Sequence, residues 1–330
     1  MRKLSDAALD LGPEPFRILS LDGGGIKGTF SAAVLARLEK QLGCRIAEHF
    51  DLIVGTSTGG ILAIGLGLGF SAAELLDFYV QRGSTIFPST AAESRLGWLR
   101  QIFRPKHSHQ ILRNELTKIL GDRAFCASTC PLVIPTYDAI GGRIYLMKTC
   151  HAPGLVRERD ARAVDVALAT SAAPTYFQAA TFPGHNDASY VDGGVWANSP
   201  AMVGVTEAIH FFKQRPQNIA LLSIGATYSP FNIAHKQKAG AAGWNVGLIS
   251  LMFEAQVQAA RAQAGLIAGK FHRIDAVVTA GDFVLDRADP ETIRRLAVLG
   301  DNEGSTKANL DAVRTHFLNG RMARPYSRGC

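Results

Sequence analysis

The sequence offers no set of cysteines from which a covalent framework could be built. Its five cysteines (Cys44, Cys126, Cys130, Cys150, Cys330) are odd in number and scattered. The nearest pair, Cys126 and Cys130, does not have the C-x-x-C spacing of a redox or zinc knuckle. That excludes a disulfide-stapled scaffold and reads as a reduced, cytosolic protein. The first residues, MRKLSDAALDLGPEPF, lack the continuous apolar stretch of a signal peptide. Internal repeats and low-complexity tracts are missing as well. Charged residues make up only 19% of the chain and hydrophobic residues 47%, which excludes extensive disorder. What charge there is sums to +7. Such a balance suits a membrane surface, a nucleic acid or a nucleotide, and does not choose among them.

One uncharged run, Leu52 to Ala73, is long enough to cross a bilayer on paper. It is rich in glycine, however, and contains Thr56, Ser57 and Thr58. It reads as a buried strand, a turn and a buried helix, and no membrane span is expected. Residues 1–15 form a lead-in ending at Pro13 and Pro15. Beyond it, strands are expected at Phe16 to Asp22, Phe50 to Val54, Leu132 to Ala139, Arg143 to Thr149, Ile219 to Ile224 and Arg273 to Val278. Helices are expected at Thr29 to Leu42, from Ile61, from Ser71 to about Arg82, and at Val164 to Thr170, Met202 to Lys213 and Asn245 to Ala268. Strands alternating with helices predict an α/β fold, a mainly parallel sheet covered on both faces. A single domain over 16–330 is expected, with 226–330 a helical C-terminal part that completes it and is a candidate for regulation.

Three motifs carry chemistry. Gly55-Thr56-Ser57-Thr58-Gly59 is a G-x-S-x-G between an expected strand and an expected helix. Glycines two residues either side of a serine remove the Cβ atoms that would block a sharp turn, so the hydroxyl can stand exposed. The helix behind it turns its positive end towards developing negative charge. A glycine packing turn with an incidental serine is the bland alternative for five residues in isolation.

The second motif, Asp22-Gly23-Gly24-Gly25-Ile26-Lys27-Gly28, again joins a strand to a helix. Backbone N–H groups in such a loop can converge on one oxyanion. A rival reading exists, because Gly23, Gly25 and Gly28 also satisfy the dinucleotide fingerprint G-x-G-x-x-G. That fingerprint wants an acidic residue near the end of the next strand, and Asp51 sits at its beginning. Lys27 precedes Gly28, so a P-loop fits worse.

The third is Val191-Asp192-Gly193-Gly194, which can present a carboxylate at a strand end; a plain β-turn is its commoner reading. A nucleophilic serine needs a base, normally histidine. None of the nine histidines has a motif around it, and His185 is the best placed of them.

These blocks, with ALATSAAPTYF (Ala167 to Phe177), VDGGVWANSPA and LLSIG (Leu221 to Gly225) in the same order, make residues 16–225 resemble the patatin-like phospholipase family. The resemblance implies Ser57 as nucleophile, Asp192 as general base and Gly23, Gly24 and Gly25 as an oxyanion hole, with no metal, cofactor or histidine in catalysis. It implies a three-layer patatin-like fold and hydrolysis of phospholipid esters. DGGGIKGTFSAAVLARLE and the stretch from Trp98 to Lys106 further resemble the cyclic-dinucleotide-activated phospholipases of bacterial anti-phage defence. That implies a cyclic dinucleotide activator, ligand-induced homo-oligomers and action at the inner face of the membrane. A carboxylesterase on soluble esters and a nucleotide-binding module using the glycine loop are the alternatives.

Around the motifs, Arg95 to Lys106 interleaves Trp98 and Phe103 with Arg100, Arg104 and Lys106. That pattern suits a lid, a membrane contact or an activator site, and equally an amphipathic segment packed on the core. No further aromatic platform points to a nucleic acid polymer.

Overall fold

The computed structural model describes residues 14–87, 108–174, 176–185, 187–229, 246–279, 282–283, 287–319 and 322–326. The lead-in and Trp98, Arg100, Phe103, Arg104 and Lys106 lie outside them. Seven strands form one sheet: β1 (Phe16–Leu21), β2 (Leu52–Gly55), β3 (Leu132–Asp138), β4 (Arg143–Lys148), β5 (Tyr190–Asp192), β6 (Ile219–Ile224) and β7 (Lys270–Ile274). Their order is β4-β3-β2-β1-β6-β7, with β5 paired to β3 off that path. The pairs from β3 through β2, β1 and β6 to β7 are parallel, while β4 and β5 run antiparallel to β3.

The central strands β1, β2 and β6 are buried at every position, and successive side chains feed opposite layers. Leu19 and Leu21 of β1, Ile53 of β2 and Leu222 and Ile224 of β6 enter one core. Phe16 and Ile18, Leu52 and Val54, and Ile219 and Leu221 enter the other. The first layer is closed by helices α1 (Gly28–Leu42), α2 (Thr58–Gly67), α3 (Ala72–Ile86), α4 (His109–Leu120), α5 (Ala163–Thr170) and, packed on α1, α9 (Pro290–Ser305). The second is closed by the short α6 (Gly194–Ala197), α7 (Ala201–His210) and α8 (Val246–Ile267). A last helix, α10 (Lys307–Val313), follows α9. This is the α/β architecture expected, a mainly parallel sheet between two helical layers.

The uncharged run resolves into β2 and α2, every residue of both buried. Among the described residues no helix is long and apolar enough to cross a membrane. Three expectations shift. The last strand is Lys270–Ile274, earlier than expected, and beyond it only a Tyr228–Val277 bridge continues. Helix α4 was not anticipated, although Leu112, Leu116 and Leu120 fall four apart on its buried side. Cys44, Cys130 and Cys150 are free thiols, but Cys126 is disulfide-bonded. Sequence spacing compares chain neighbours, and a bond to a distant position escapes it.

Asp51 ties together the end of the sheet away from the serine turn. Its carboxylate accepts from the Arg17 backbone N–H at 2.8 Å and from the Arg324 N–H at 2.8 Å. Removing a buried acceptor leaves both donors to find others, at about 1–3 kcal/mol. Asp51→Ala is therefore expected to lower the unfolding free energy by that much, read as a lower urea midpoint at unchanged m-value; a wild-type midpoint would show that these bonds contribute nothing.

Candidate active site

The site arises where two strands meet end to end on one flank of β3. Strand β2 pairs with its beginning, Ile53 opposite Leu132 and Val54 opposite Val133. Strand β5 pairs antiparallel with its end, Asp192 opposite Thr136. The chain leaving β2 and the chain finishing β5 thus converge, and Ser57 Oγ donates to Asp192 Oδ2 at 2.7 Å. Both residues are buried, Ser57 9% and Asp192 6% exposed.

Ser57 adopts φ 54° and ψ −123°, a region that non-glycine residues enter at a cost of about 1–3 kcal/mol. The neighbours hold it there. A Cβ at Gly55 would lie 2.2 Å from the Gly59 carbonyl oxygen, and one at Gly59 would lie 2.2 Å from that of Leu21. Only glycine at both places allows the strand to turn straight into α2. The Ser57 N–H donates to Thr170 Oγ1 at 3.0 Å, and that hydroxyl donates to the Pro135 carbonyl at 2.7 Å. Thr56 Oγ1 donates to the Ala197 carbonyl at 2.6 Å, joining the turn to α6 behind Asp192.

Asp192 is held from both sides. Its N–H donates to the Ala172 carbonyl at 3.0 Å. Its second oxygen, Oδ1, accepts the Gly194 N–H at 2.7 Å. Burial raises its pKa to about 6, against the lowering effect of the bonds from Ser57 and Gly194. A carboxylate so placed is a stronger base than a solvated one, yet remains ionised at neutral pH.

The glycine loop borders the serine, since a Cβ at Gly23 would come within 3.2 Å of Ser57 Cβ. Its three N–H groups are not equivalent. That of Gly23 donates to the Asn198 carbonyl at 2.9 Å. Among the described residues no acceptor engages those of Gly24 and Gly25. Thr58 begins α2, so its N–H is one of the helix's unpaired N-terminal donors. Asp51, the acidic residue a dinucleotide site would need, sits at the opposite end of β2 from the serine turn.

His185 is elsewhere engaged. It is buried, with Nδ1 2.6 Å from the Tyr190 hydroxyl, and burial lowers its pKa. Among the described residues no histidine hydrogen-bonds to Ser57 or Asp192. None of their His, Cys, Asp and Glu side chains cluster in threes as a metal site would require. Thr170 and Asn198 went unassigned in the sequence, although both stand inside the blocks ALATSAAPTYF and VDGGVWANSPA.

A serine on a strained strand-to-helix turn, a carboxylate bonded to its hydroxyl and free N–H groups alongside are the parts of an acyl-transfer hydrolase. Comparison with known proteins agrees. Residues 19–205 match the patatin-like phospholipase family, and the chain belongs to it, a family of hydrolases acting on lipid ester bonds. A cGAMP-activated phospholipase of Vibrio cholerae serotype O1 is 31% identical over 316 residues, covering 86% of this chain and 89% of the relative. Another so named, from Pseudomonas aeruginosa, is 36% identical over 250 residues, covering 73% and 72%. Patatin-like protein 4 of Arabidopsis thaliana is 35% identical over 211 residues, covering 57% and 51%.

Thr170→Val keeps the shape of the side chain and removes the acceptor of the Ser57 N–H. It is expected to cost about 1–3 kcal/mol of stability and to slow ester hydrolysis about tenfold or more by loosening the turn. Urea unfolding and p-nitrophenyl ester turnover would show both effects; unchanged turnover would mean that the glycine contacts alone hold Ser57.

Proposed function

We propose that the protein is a phospholipase of A type that cleaves membrane phospholipid esters through a Ser57–Asp192 dyad and is switched on by a cyclic dinucleotide. The 2.7 Å bond between Ser57 Oγ and Asp192 Oδ2 carries the reading. Asp192 takes the Ser57 proton as Oγ attacks the ester carbonyl. The oxyanion is stabilised by the N–H groups of Gly24 and Gly25 and by the N-terminal end of α2. Asp192 then protonates the leaving alcohol, and water, activated by the same carboxylate, releases the fatty acid from the acyl-serine. Gly23 serves the loop by its bond to Asn198 and not the oxyanion.

Activation by a cyclic dinucleotide is supported by the relatives named for cGAMP, one of them similar over most of both chains. The charge of +7 suits both an anionic activator and the anionic inner face of a membrane. Assembly into a homo-oligomer on activation belongs to the same reading, as does a regulatory role for 226–330.

The test is fatty-acid release from phospholipid vesicles by the wild type and by Ser57→Ala and Asp192→Asn, with and without cGAMP. Release by the wild type alone, and only with cGAMP, is the expected outcome. Both variants should lose at least a thousandfold, because nucleophile and base act as a unit. Release without ligand would remove the switch and keep the enzyme; release by Ser57→Ala would remove the dyad.

The pH profile follows from Asp192. Its base form is present above a pKa of about 6. The rate kcat/KM should therefore rise tenfold per pH unit below about 6 and level off above it. An acid limb centred near 4 would mean a solvated carboxylate and a different base.

A further inference from the structure

The glycine run has no side chains with which to hold its own shape, and glycine is the residue with the most freedom to lose. Its geometry must be imposed from its ends. At one end stands Asp22, buried at 2% exposure, whose N–H extends the sheet by donating to the Ile224 carbonyl at 3.1 Å. Its side chain is gripped by a residue from the last strand. Arg273 Nη2 lies 2.7 Å from Asp22 Oδ2 and 2.6 Å from Asp275 Oδ2. Its Nη1 donates to Ser223 Oγ at 2.7 Å, and its Nε to Asp275 Oδ2 at 3.2 Å. The guanidinium thus spans β6, β7 and the start of the glycine loop. Burial opposes its charge, and the two carboxylates more than reverse that effect, so it stays a cation.

A buried ion pair is a poor source of stability, because desolvating its members offsets their attraction; an apolar trio of similar volume would hold the sheet as well. A fixed fork of donors does supply orientation. Two and three residues beyond Asp22 come the N–H groups of Gly24 and Gly25, which the reading above gives to the oxyanion.

We infer that Arg273 is a positioning residue for ester hydrolysis: through Asp22 it sets the direction of the Gly24 and Gly25 N–H groups. The inference rests on the oxyanion role proposed for those groups. Arg273 stands outside the stretch 19–205 that the family matches, so on this account the last strand is part of the catalytic apparatus.

The experiment compares wild type, Arg273→Gln, Asp22→Asn, their double variant and Ser57→Ala, each checked for folding by circular dichroism and thermal unfolding. Turnover of a soluble p-nitrophenyl ester and affinity for an alkyl trifluoromethyl ketone are measured with cGAMP present. The ketone forms a tetrahedral serine adduct whose oxyanion needs the same donors. In Arg273→Gln, kcat is expected to fall about a hundredfold, as a small misplacement of catalytic groups does. KM should stay within about twofold and ketone affinity should fall in step with kcat. Asp22→Asn should lose as much, and the double variant no more than either, because the two residues act through one contact. The acid limb should not move, since Asp192 is untouched. Arg273→Lys, which keeps the charge without the fork, should fold and show the same split if Arg273→Gln does not fold.

Wild-type kcat in a folded Arg273 variant, a loss confined to KM, or losses that multiply in the double variant would overturn the inference while leaving the dyad standing. Turnover by Ser57→Ala, or no ketone binding by wild type, would overturn the site reading beneath it.

Discussion

Strand β3 is shared along one flank by two partners that cannot both be long. The pairing of β2 with its first residues and of β5 with its last leaves each partner a short segment, four and three residues respectively. Because β2 runs parallel to β3 and β5 antiparallel, their C-terminal ends face each other. The serine turn and the Asp-Gly-Gly turn must then occupy the same small space. Everything else around the site follows from that crowding. Glycines are required at 55 and 59, where carbonyl oxygens fill the room a Cβ would need. Hydroxyls at Thr56 and Thr170 bond to backbone groups that the turns leave without ladder partners.

The same crowding does chemical work. An aspartate in water is too weak a base to activate a serine hydroxyl at neutral pH. Here, packing of α5, α6 and the serine turn strips solvent from Asp192 while leaving it two donors, Ser57 Oγ and Gly194 N–H. Those two bonds keep the carboxylate from being so destabilised that it would simply hold a proton. The result is a carboxylate poised near 6 and bonded directly to the Ser57 hydroxyl, without an imidazole between them. Strain at Ser57 serves the same end. A residue in its backbone conformation persists only where surroundings over-determine it, and here glycine contacts, the Thr170 bond and the first turn of α2 do so together.

Much of this was legible in the chain. The serine turn could be read because its logic is local: two glycines flank a serine, between an apolar run and a helix. Asp192 could be found only through the blocks around it that resemble the family, because an Asp-Gly-Gly in isolation reads more commonly as a plain β-turn. The α/β architecture followed from strands alternating with helices. What escaped depends on contacts across the chain. Thr170 looks like any helix-terminal threonine until its hydroxyl is seen under Ser57. The Gly23 N–H looks as available as its neighbours until the Asn198 carbonyl is placed against it. Strand β7, Lys270–Ile274, was expected later, at Arg273 to Val278, because charges crowd its first residues while its edge position is a property of the folded sheet. The amphipathic stretch 95–106 lies outside the described residues, and its role rests on its pattern alone.

The C-terminal third is joined to the site at two places. Helix α8 lies against the turn after Asp192: Gln256 donates to the Val195 carbonyl at 3.1 Å, and Phe253 approaches to within 3.6 Å of where a Gly194 Cβ would stand. Strand β7 reaches the glycine loop through Arg273 and Asp22. The first contact bears on the solvation of the Asp192 carboxylate, the second on the N–H groups beside Ser57. Lys27, on the 3-10 turn that ends the loop, adds a further link, because its ammonium faces both Asp275 beyond β7 and Glu254 of α8, while burial lowers its pKa. A change in the packing of this third would therefore reach the Asp192 carboxylate and the glycine loop at once.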